Sequence, residues 1–517
     1  MAPVDEFKPP SDLEETPLRL IPHALRPLPF LAQAMFENFM LAFGGRAVHI
    51  KGYTYLGGGS GTPNATLDPS PYSEAREAWE KHALPHVQEI CEGLWSGNYS
   101  SWPLEELVQA IPGYFSEAAR AFAYTMQPLH VVVGPASALM VFCREKLKDL
   151  EDPDHLVASL LQGVDNESAA RGQKLEELAP LLQASPTLLA AARQGNLTAA
   201  RAAEGGQVFG QAFDAYLEHY GYGSQTWWEL QTPTWREAPE AALRLLAGYV
   251  SNPSRGPIAA HARSSTERTE IIAKCESSLA GNEDRTQFRA LVEGAADYVF
   301  VIEGRAHWQQ NCVGALRPMC LALGKKLVDC GALASPEDVF HLRIEELGQL
   351  AIEPSIKMLN EIEERKADLE TWGKLAPPMT LGPPPPPPPD GPPNPMALMF
   401  GEGAEQTGNP LLLKGKGASR GVVTGRARVV FSLEEAEGLQ LGEVLVCPFT
   451  APSWMPVFTT ASAIVTNQGG VLSHAAIEAR EYGIPCVTGT ESGTEQIPNG
   501  ATITVDGLTG TVRIHED

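Results

Sequence analysis

The segment Gly469-Gly470-Val471-Leu472-Ser473-His474-Ala475-Ala476-Ile477-Glu478-Ala479-Arg480-Glu481-Tyr482-Gly483-Ile484-Pro485 decides how this chain is read. It follows an apolar run, Ala463–Asn467, that reads as a buried strand. Two glycines end that strand and permit backbone angles closed to other residues. Ser473 is placed to cap the helix that comes next, so His474 falls in its first turn. That end of a helix carries unpaired N–H groups and partial positive charge, which favour anions. The same field disfavours imidazolium, so a largely neutral ring is expected near pH 7. A neutral imidazole has a lone pair that can attack phosphorus. Two readings stand on these residues: a phosphohistidine carrier, or a histidine packed at a helix start beside a glycine turn.

Around this segment the pattern is of short elements. Val422–Phe431, Val444–Pro448, Pro485–Thr488, Thr502–Asp506 and Thr511–His515 are rich in Val, Ile and Thr and are parted by glycine turns. Short helices fit at Ser432–Leu439, Ser453–Thr460 and Ser473–Tyr482, which gives a compact β/α domain over residues 410–517. Residues 1–380 read as helix instead. Phe288, Leu291, Val292, Ala295, Val299 and Ile302 recur at helical spacing, Leu104–Cys143, Asp154–Arg193 and Leu350–Leu369 look similar, and Ser335-Pro336-Glu337-Asp338 is a helix start. Between the two lies a proline-rich linker, residues 381–409. Its run of seven prolines, Pro383 to Pro389, cannot join a helix or a sheet interior. An extended polyproline spacer is expected there.

Composition narrows the function classes. With 39 Lys plus Arg against 63 Asp plus Glu, the formal charge is −24 over 517 residues, which argues against nucleic acid and anionic membranes as partners. No stretch approaches the roughly 20 apolar residues that span a bilayer, and the first residues carry no secretory leader pattern, so a cytoplasmic location is expected. The eight cysteines are scattered and contain no C-x-x-C pair, and the twelve histidines contain no H-E-x-x-H. No metal is expected. Pro85 disturbs the one i, i+4 histidine pair, His82 and His86. Gly57–Thr62 is glycine-rich but lacks the lysine of a Walker A loop, so a plain loop is favoured.

The segment at 469–485 resembles the signature of the phosphoenolpyruvate-utilising mobile domain, the swivelling phosphohistidine domain of dikinase-type enzymes. Pro452-Ser453-Trp454-Met455-Pro456 before it, and Val505-Asp506-Gly507 with Gly510-Thr511-Val512 after it, extend the likeness over Lys414–Ile514. Leu472 stands where the dikinases carry a regulatory threonine. The helical part is similar, more loosely, to the substrate domain of the rifampin phosphotransferases. Tyr220-Gly221, Glu229-Leu230, Pro233–Pro239, Arg305-Ala306-His307, Arg317 and Asp338–Leu342 carry that likeness. Gly221-Tyr222-Gly223 departs from the family's Gly-His-Arg.

The resemblance implies a multidomain chain: a mostly α-helical substrate-binding region, then a β/β/α swivelling phosphohistidine domain. It implies that His474 is phosphorylated, with Ser473, Gly469 and Gly470 shaping its turn. It implies a phosphotransferase subunit like rifampin phosphotransferase without its ATP-grasp domain, or like the phosphohistidine subunit of phenylphosphate synthase. ATP and Mg2+ are then expected on a separate ATP-grasp partner, and AMP and phosphate are the by-products. The acceptor is the hydroxyl of a small organic molecule, a phenol among the candidates. Arg305, Arg317 or Lys325 are candidates to neutralise the phosphoryl oxygens, and His307 or Glu229 to take the hydroxyl proton. Glu478, one turn after His474, is placed either on the ring's face or in solvent. Trp227, Trp228 and Trp235 suit an aromatic acceptor or a helical core. A non-catalytic scaffold and a phosphoenolpyruvate-linked subunit are the alternatives.

Overall fold

The computed structural model describes residues 7–14, 18–20, 27–42, 45–57, 74–223, 229–251, 253–353, 357–375, 377–378, 380–383, 407–436, 438–451 and 454–515. Most of the proline-rich linker, the greater part of the Gly57–Thr62 loop, Trp227, Trp228, Pro452 and Ser453 therefore lie outside the described residues.

A 33-residue helix, Asn282–Gly314, is the spine of the helical body. Phe288, Val292, Ala295, Val299 and Ile302 repeat every three or four residues and are all buried, which makes one apolar stripe. The stripe packs along helix Leu129–Lys146, and the later residues Ala306, Cys312 and Val313 of the spine share a core with helix Leu104–Met126. Beyond Ile302 the spine stays buried but turns polar: Glu303, Arg305, His307, Gln310 and Asn311 are all inside. Buried polar groups destabilise a fold unless they find partners, so this half of the spine marks a site. A second packing unit joins Leu175, Leu188, Phe209, Phe213, Trp235 and Leu246 from shorter helices that include Gly206–Tyr220 and Glu240–Ser251.

Residues 1–380 are not wholly helical. Four strands, β1 (Leu18–Leu20), β2 (Arg46–Ile50), β3 (Tyr53–Gly57) and β4 (Thr380–Leu381), form an antiparallel sheet in the order β2-β3-β1-β4. The β2–β3 hairpin turns at Lys51-Gly52, both at positive φ, and closes over Phe7, Leu13 and Leu381.

Downstream, β5 (Leu412–Lys414), β6 (Lys416–Ser419), β7 (Val422–Val429), β8 (Val444–Cys447), β9 (Ala463–Thr466), β10 (Cys486–Thr488), β11 (Thr502–Asp506) and β12 (Thr511–Ile514) join in the order β5-β12-β11-β7-β8-β9-β10-β6. The pairs β7–β8, β8–β9 and β9–β10 are parallel, and the outer pairs are antiparallel. Strands β8 and β9 are buried at every residue, as the central strands of a covered parallel sheet should be. The carrier helix, His474–Tyr482, leaves the end of β9 and returns through Gly483, left-handed at φ +64°, into β10. Short helices Leu433–Ala436 and Met455–Phe458 occupy two other crossovers.

Gly469 takes φ +116°, and a Cβ there would sit 2.7 Å from the Ser473 hydroxyl. Gly469→Ala should therefore destabilise the chain by about 1–3 kcal/mol, read as a drop in thermal unfolding midpoint. An unchanged midpoint would show that the turn relaxes freely.

Candidate functional site

The sequence places His474 at a helix tip, and the fold explains how it is held. Ser473 caps the carrier helix by accepting from the Ala476 N–H at 3.4 Å. Arg480, buried on the same helix, donates through Nη1 to the carbonyls of Val471, 2.7 Å, and Ala418, 2.8 Å. It thereby ties the turn before His474 to strand β6. Burial lowers the Arg480 guanidinium to about 10.

The tip is not open to water. The carrier helix lies against helix Pro257–Ser278 of the helical body. Ser264 donates its hydroxyl to the carbonyls of Arg480 and Glu481, both at 3.2 Å. Glu481 accepts from the Gly163 N–H at 2.6 Å and meets His261 Nδ1 at 3.1 Å. Arg420 of the sheet domain pairs with Glu151, and His155 meets the Leu508 carbonyl. Val471, Leu472 and Ile477 enter an apolar cluster with Phe288, Val292 and Val299 of the spine.

These contacts press His474 onto the polar half of the spine. The ring is 6% exposed, and its Nδ1 lies 3.3 Å from Glu303 Oε2. Ser168, in the first turn of helix Glu167–Glu176, donates to the same carboxylate. A carboxylate on Nδ1 fixes the proton there and leaves Nε2 as the second site. Nε2 is buried and has no hydrogen-bond partner. Glu478 closes the other side, 2% exposed, with Oε1 also unpartnered. The expected solvent-exposed alternative for Glu478 is thus overturned.

The electrostatics also differ from the sequence reading. Burial pushes the His474 ring toward neutrality, but Glu303, Glu478 and the Ala451 carbonyl outweigh it and raise its pKa above the ordinary value. The helix-end field therefore does not keep this ring neutral; a facing carboxylate overrides it. Burial would raise Glu303, yet His474, Ser168 and Arg305 together hold it below the usual carboxylate range. Glu478 has no such relief, and burial raises it to about 8, against the opposing pull of His474 and Arg171 and with the help of Glu303 and Glu481.

One helical turn along the spine from Glu303 lies His307. It is buried, and burial lowers it to about 3. Its Nε2 meets the Tyr222 hydroxyl and stands 3.7 Å from Glu167, which in turn is 3.8 Å from His219. Two groups of side chains, Glu303–His474–Glu478 and Glu167–His219–His307, have ligand atoms close enough to hold a metal ion. The sequence reading, which expected no metal, saw neither group.

The other expected residues divide. Arg305 lies on the spine with its Nη1 2.9 Å from Met126 Sδ, and its charge is felt at Glu303. Arg317 is taken by a bidentate pair with Glu237, both contacts 2.8 Å, and by the Leu230 carbonyl. It is a structural cation, not a free phosphate ligand. Lys325 is exposed on helix Arg317–Asp329, so its charge is spent in solvent. Glu229 is buried and accepts from the Thr232 hydroxyl at 2.8 Å. Trp235 is a core residue. At His82 the helix is π-type over Ala78–Ala83, and Pro85 then opens helix Leu84–Trp95, where His86 stacks on Tyr124. Glu303, Ser168, Arg171, Glu167, His219 and Tyr222 were not singled out for the site from sequence. Glu303 and Gln310 had a signal: both continue the buried register of Val292, Ala295, Val299 and Ala306.

Two stretches of the chain match known families. Residues 439–510 match the family described as PEP-utilising enzyme, mobile domain. Residues 128–302 match the rifampicin phosphotransferase fourth domain. The chain is 29% identical over 454 residues to the chondramide synthase cmdD of Chondromyces crocatus, covering 84% of this chain and 12% of that protein. It is 28% identical over 310 residues to the uncharacterized phosphotransferase YvkC of Bacillus subtilis, covering 60% and 37%. It is 27% identical over 317 residues to a rifampicin phosphotransferase of Streptomyces sviceus, covering 60% and 35%. The chain thus spans well under half the length of these relatives.

Two outcomes follow for the docked interface. Glu303→Gln removes the largest influence opposing burial at His474 and leaves only Glu478 and the Ala451 carbonyl, so the ring's pKa should fall; proton NMR titration of the imidazole Cε1–H reads it, and an unmoved value would separate the two groups. His474, Glu478 and His261 are all raised, so their contribution to docking is fully present below their ordinary pKa values and is lost as pH rises through the raised ones. Glu303 is lowered, so its contribution is lost as pH falls through its depressed value. Protection factors at residues 471–482, that is exchange rates corrected for the intrinsic pH dependence of amide exchange, should therefore fall as pH rises through about 8, the raised value of Glu478; factors that stay constant would show that docking does not depend on these groups.

Proposed function

We propose that this chain, which joins a rifampicin phosphotransferase-type fourth domain to a PEP-utilising mobile domain, carries phosphoryl groups on His474 and hands them to a small hydroxyl compound bound in the helical body. The observation that carries this reading is the docked ring. His474 meets the buried polar stretch of the spine, with Nδ1 on Glu303 and Nε2 unpartnered.

The chemistry runs through those two nitrogens. Phosphohistidine forms at Nε2, because Nδ1 keeps its proton on Glu303. Against the helical body the acceptor oxygen attacks phosphorus in line, the P–Nε2 bond breaks, and its electron pair returns to Nε2. The hydroxyl proton ends on Nε2, giving the imidazolium that Glu303 stabilises. Such charge stabilisation by a preorganised buried partner is worth more than in water. Glu478, protonated near neutral pH, donates to a phosphoryl oxygen where an ionised carboxylate would repel it. Exclusion of water by the docked interface keeps the phosphoryl group from hydrolysis.

For the donor we propose ATP, with Mg2+, on a separate ATP-grasp nucleotide-binding subunit. Phosphoenolpyruvate is the competing donor. The acceptor's hydroxyl belongs to a phenol or an alcohol, and the proline-rich linker at 381–409 is the arm on which the carrier moves between donor and acceptor.

Supplying ATP with an ATP-grasp subunit, or phosphoenolpyruvate with a barrel subunit, in separate reactions tests the reading. One of them should place acid-labile, base-stable phosphate on His474, mapped by mass spectrometry, and His474→Ala should abolish it. Small-molecule phosphoramidate gives a partner-free control for the reactivity of the ring. Labelling that persists undiminished in His474→Ala would refute the carrier role. With the label in place, Glu303→Gln should slow transfer to an alcohol by about 10²-fold while leaving the label itself intact.

A further inference from the structure

Four buried polar atoms of the helical body have no hydrogen-bond partner in the protein, and they belong to two neighbouring side chains. Arg171 sits on helix Glu167–Glu176 and is 2% exposed. Its Nη2 donates to the Tyr220 carbonyl at 3.2 Å, while Nε and Nη1 have no acceptor. Gln310, on the spine two turns beyond Glu303, is equally buried, and neither its amide oxygen nor its amide nitrogen is bonded. Gly223 brings the two together. A Cβ at that glycine would lie 2.8 Å from Arg171 Nη2, 3.2 Å from Nη1 and 3.0 Å from Gln310 Oε1.

An arginine carries five N–H donors in a fixed fork and remains charged in any protein. Leaving most of that fork unsatisfied in the interior is strongly destabilising, and the usual remedy is an oxyanion held by two parallel N–H contacts. No carboxylate of this chain is hydrogen-bonded to it among the described residues. Glu167 and Glu478 are near enough to sense its charge, yet Glu167 faces His219 and His307. The amide of Gln310 adds one donor and one acceptor to the same spot. A ligand meeting all four atoms would offer acceptor oxygens to Arg171 and to Gln310 Nε2, and one hydroxyl donor to Gln310 Oε1.

We infer that Arg171 and Gln310 form a cradle, floored by Gly223, for an oxyanion that also bears a hydroxyl group. A monoprotonated phosphoryl group and a hydroxycarboxylic acid share that chemistry. The first would be the group delivered by His474, the second an acid group on the acceptor. The role in transfer rests on the reading of His474 given above, but the binding does not.

The test uses the full chain with inorganic phosphate and, separately, glycolate, followed by calorimetric titration. Arg171→Met and Gln310→Leu are each expected to weaken binding at least tenfold. Gly223→Ala, whose methyl enters the cradle, should do so as well. Arg171→Met should keep or raise the unfolding midpoint, since it removes a buried unsatisfied charge, whereas an arginine that only braces the fold would lower it. Saturable binding of phosphate alone assigns the cradle to the phosphoryl group, of glycolate alone to the acceptor, and of both to the shared chemistry. Binding of neither, or binding that Gln310→Leu and Gly223→Ala leave unchanged, overturns the inference. Labelling of His474 by phosphoramidate is measured in the same variants. A normal label with no anion binding sinks the cradle and spares the carrier, and the reverse pattern sinks the carrier alone.

Discussion

The contact between His474 Nδ1 and Glu303 Oε2 joins the two halves of this molecule chemically as well as physically. One partner sits at the tip of a nine-residue helix in the sheet domain, the other midway along the spine of the helical body. Neither would be stable in its place alone. A carboxylate buried without a partner is expelled or neutralised, and an imidazolium without one loses its proton. Together they make a pair that ordinary packing could replace but chemistry could not. The pair also decides which ring nitrogen is available, and that choice governs everything the site can do.

Around that pair, charge is managed by distance along two helices. Glu303 and His307 are one turn apart on the spine, while Ser168 and Glu167 are neighbours on the helix that faces it. The result is two adjoining clusters with opposite habits: around His474 the cation is favoured, whereas burial strips His307 of its proton. Arg171 stands between them, sensed by Glu167 on one side and Glu478 on the other. Neighbouring side chains of opposite proton affinity suit the proposed transfer, in which the hydroxyl loses a proton and the leaving nitrogen gains one.

The sheet domain was legible in sequence because its strands are short, β-branched and bounded by glycines, and because a capped helix after two glycines leaves few alternatives. Strands β5 and β6 escaped notice, since Leu412–Lys414 and Lys416–Ser419 carry lysine, glycine and serine where an edge strand need not be apolar. The N-terminal sheet was missed for a related reason: strands of two to five residues, only β2 and β3 of them adjacent in sequence, leave little periodicity to read. Of the candidate site, His474 was visible and its surroundings were not. A helix-end argument treats His474 as if it faced water, and no local pattern reveals that a carboxylate from residue 303 will stand opposite. Arg317 illustrates the converse error. Its motif suggested a phosphate ligand, but Glu237, eighty residues earlier, already fills its fork.

Strand β4 is only two residues long, yet it hydrogen-bonds to β1 immediately before the run of prolines. Just upstream, the hydroxyls of Tyr53 and Tyr55 hold the carbonyls of Trp372, Leu375 and Pro378. The tether thus leaves the helical body from a riveted anchorage rather than a frayed end. Mechanical load from a travelling domain would be borne as shear along an antiparallel ladder, and the radius of its excursion would be measured from a stationary post.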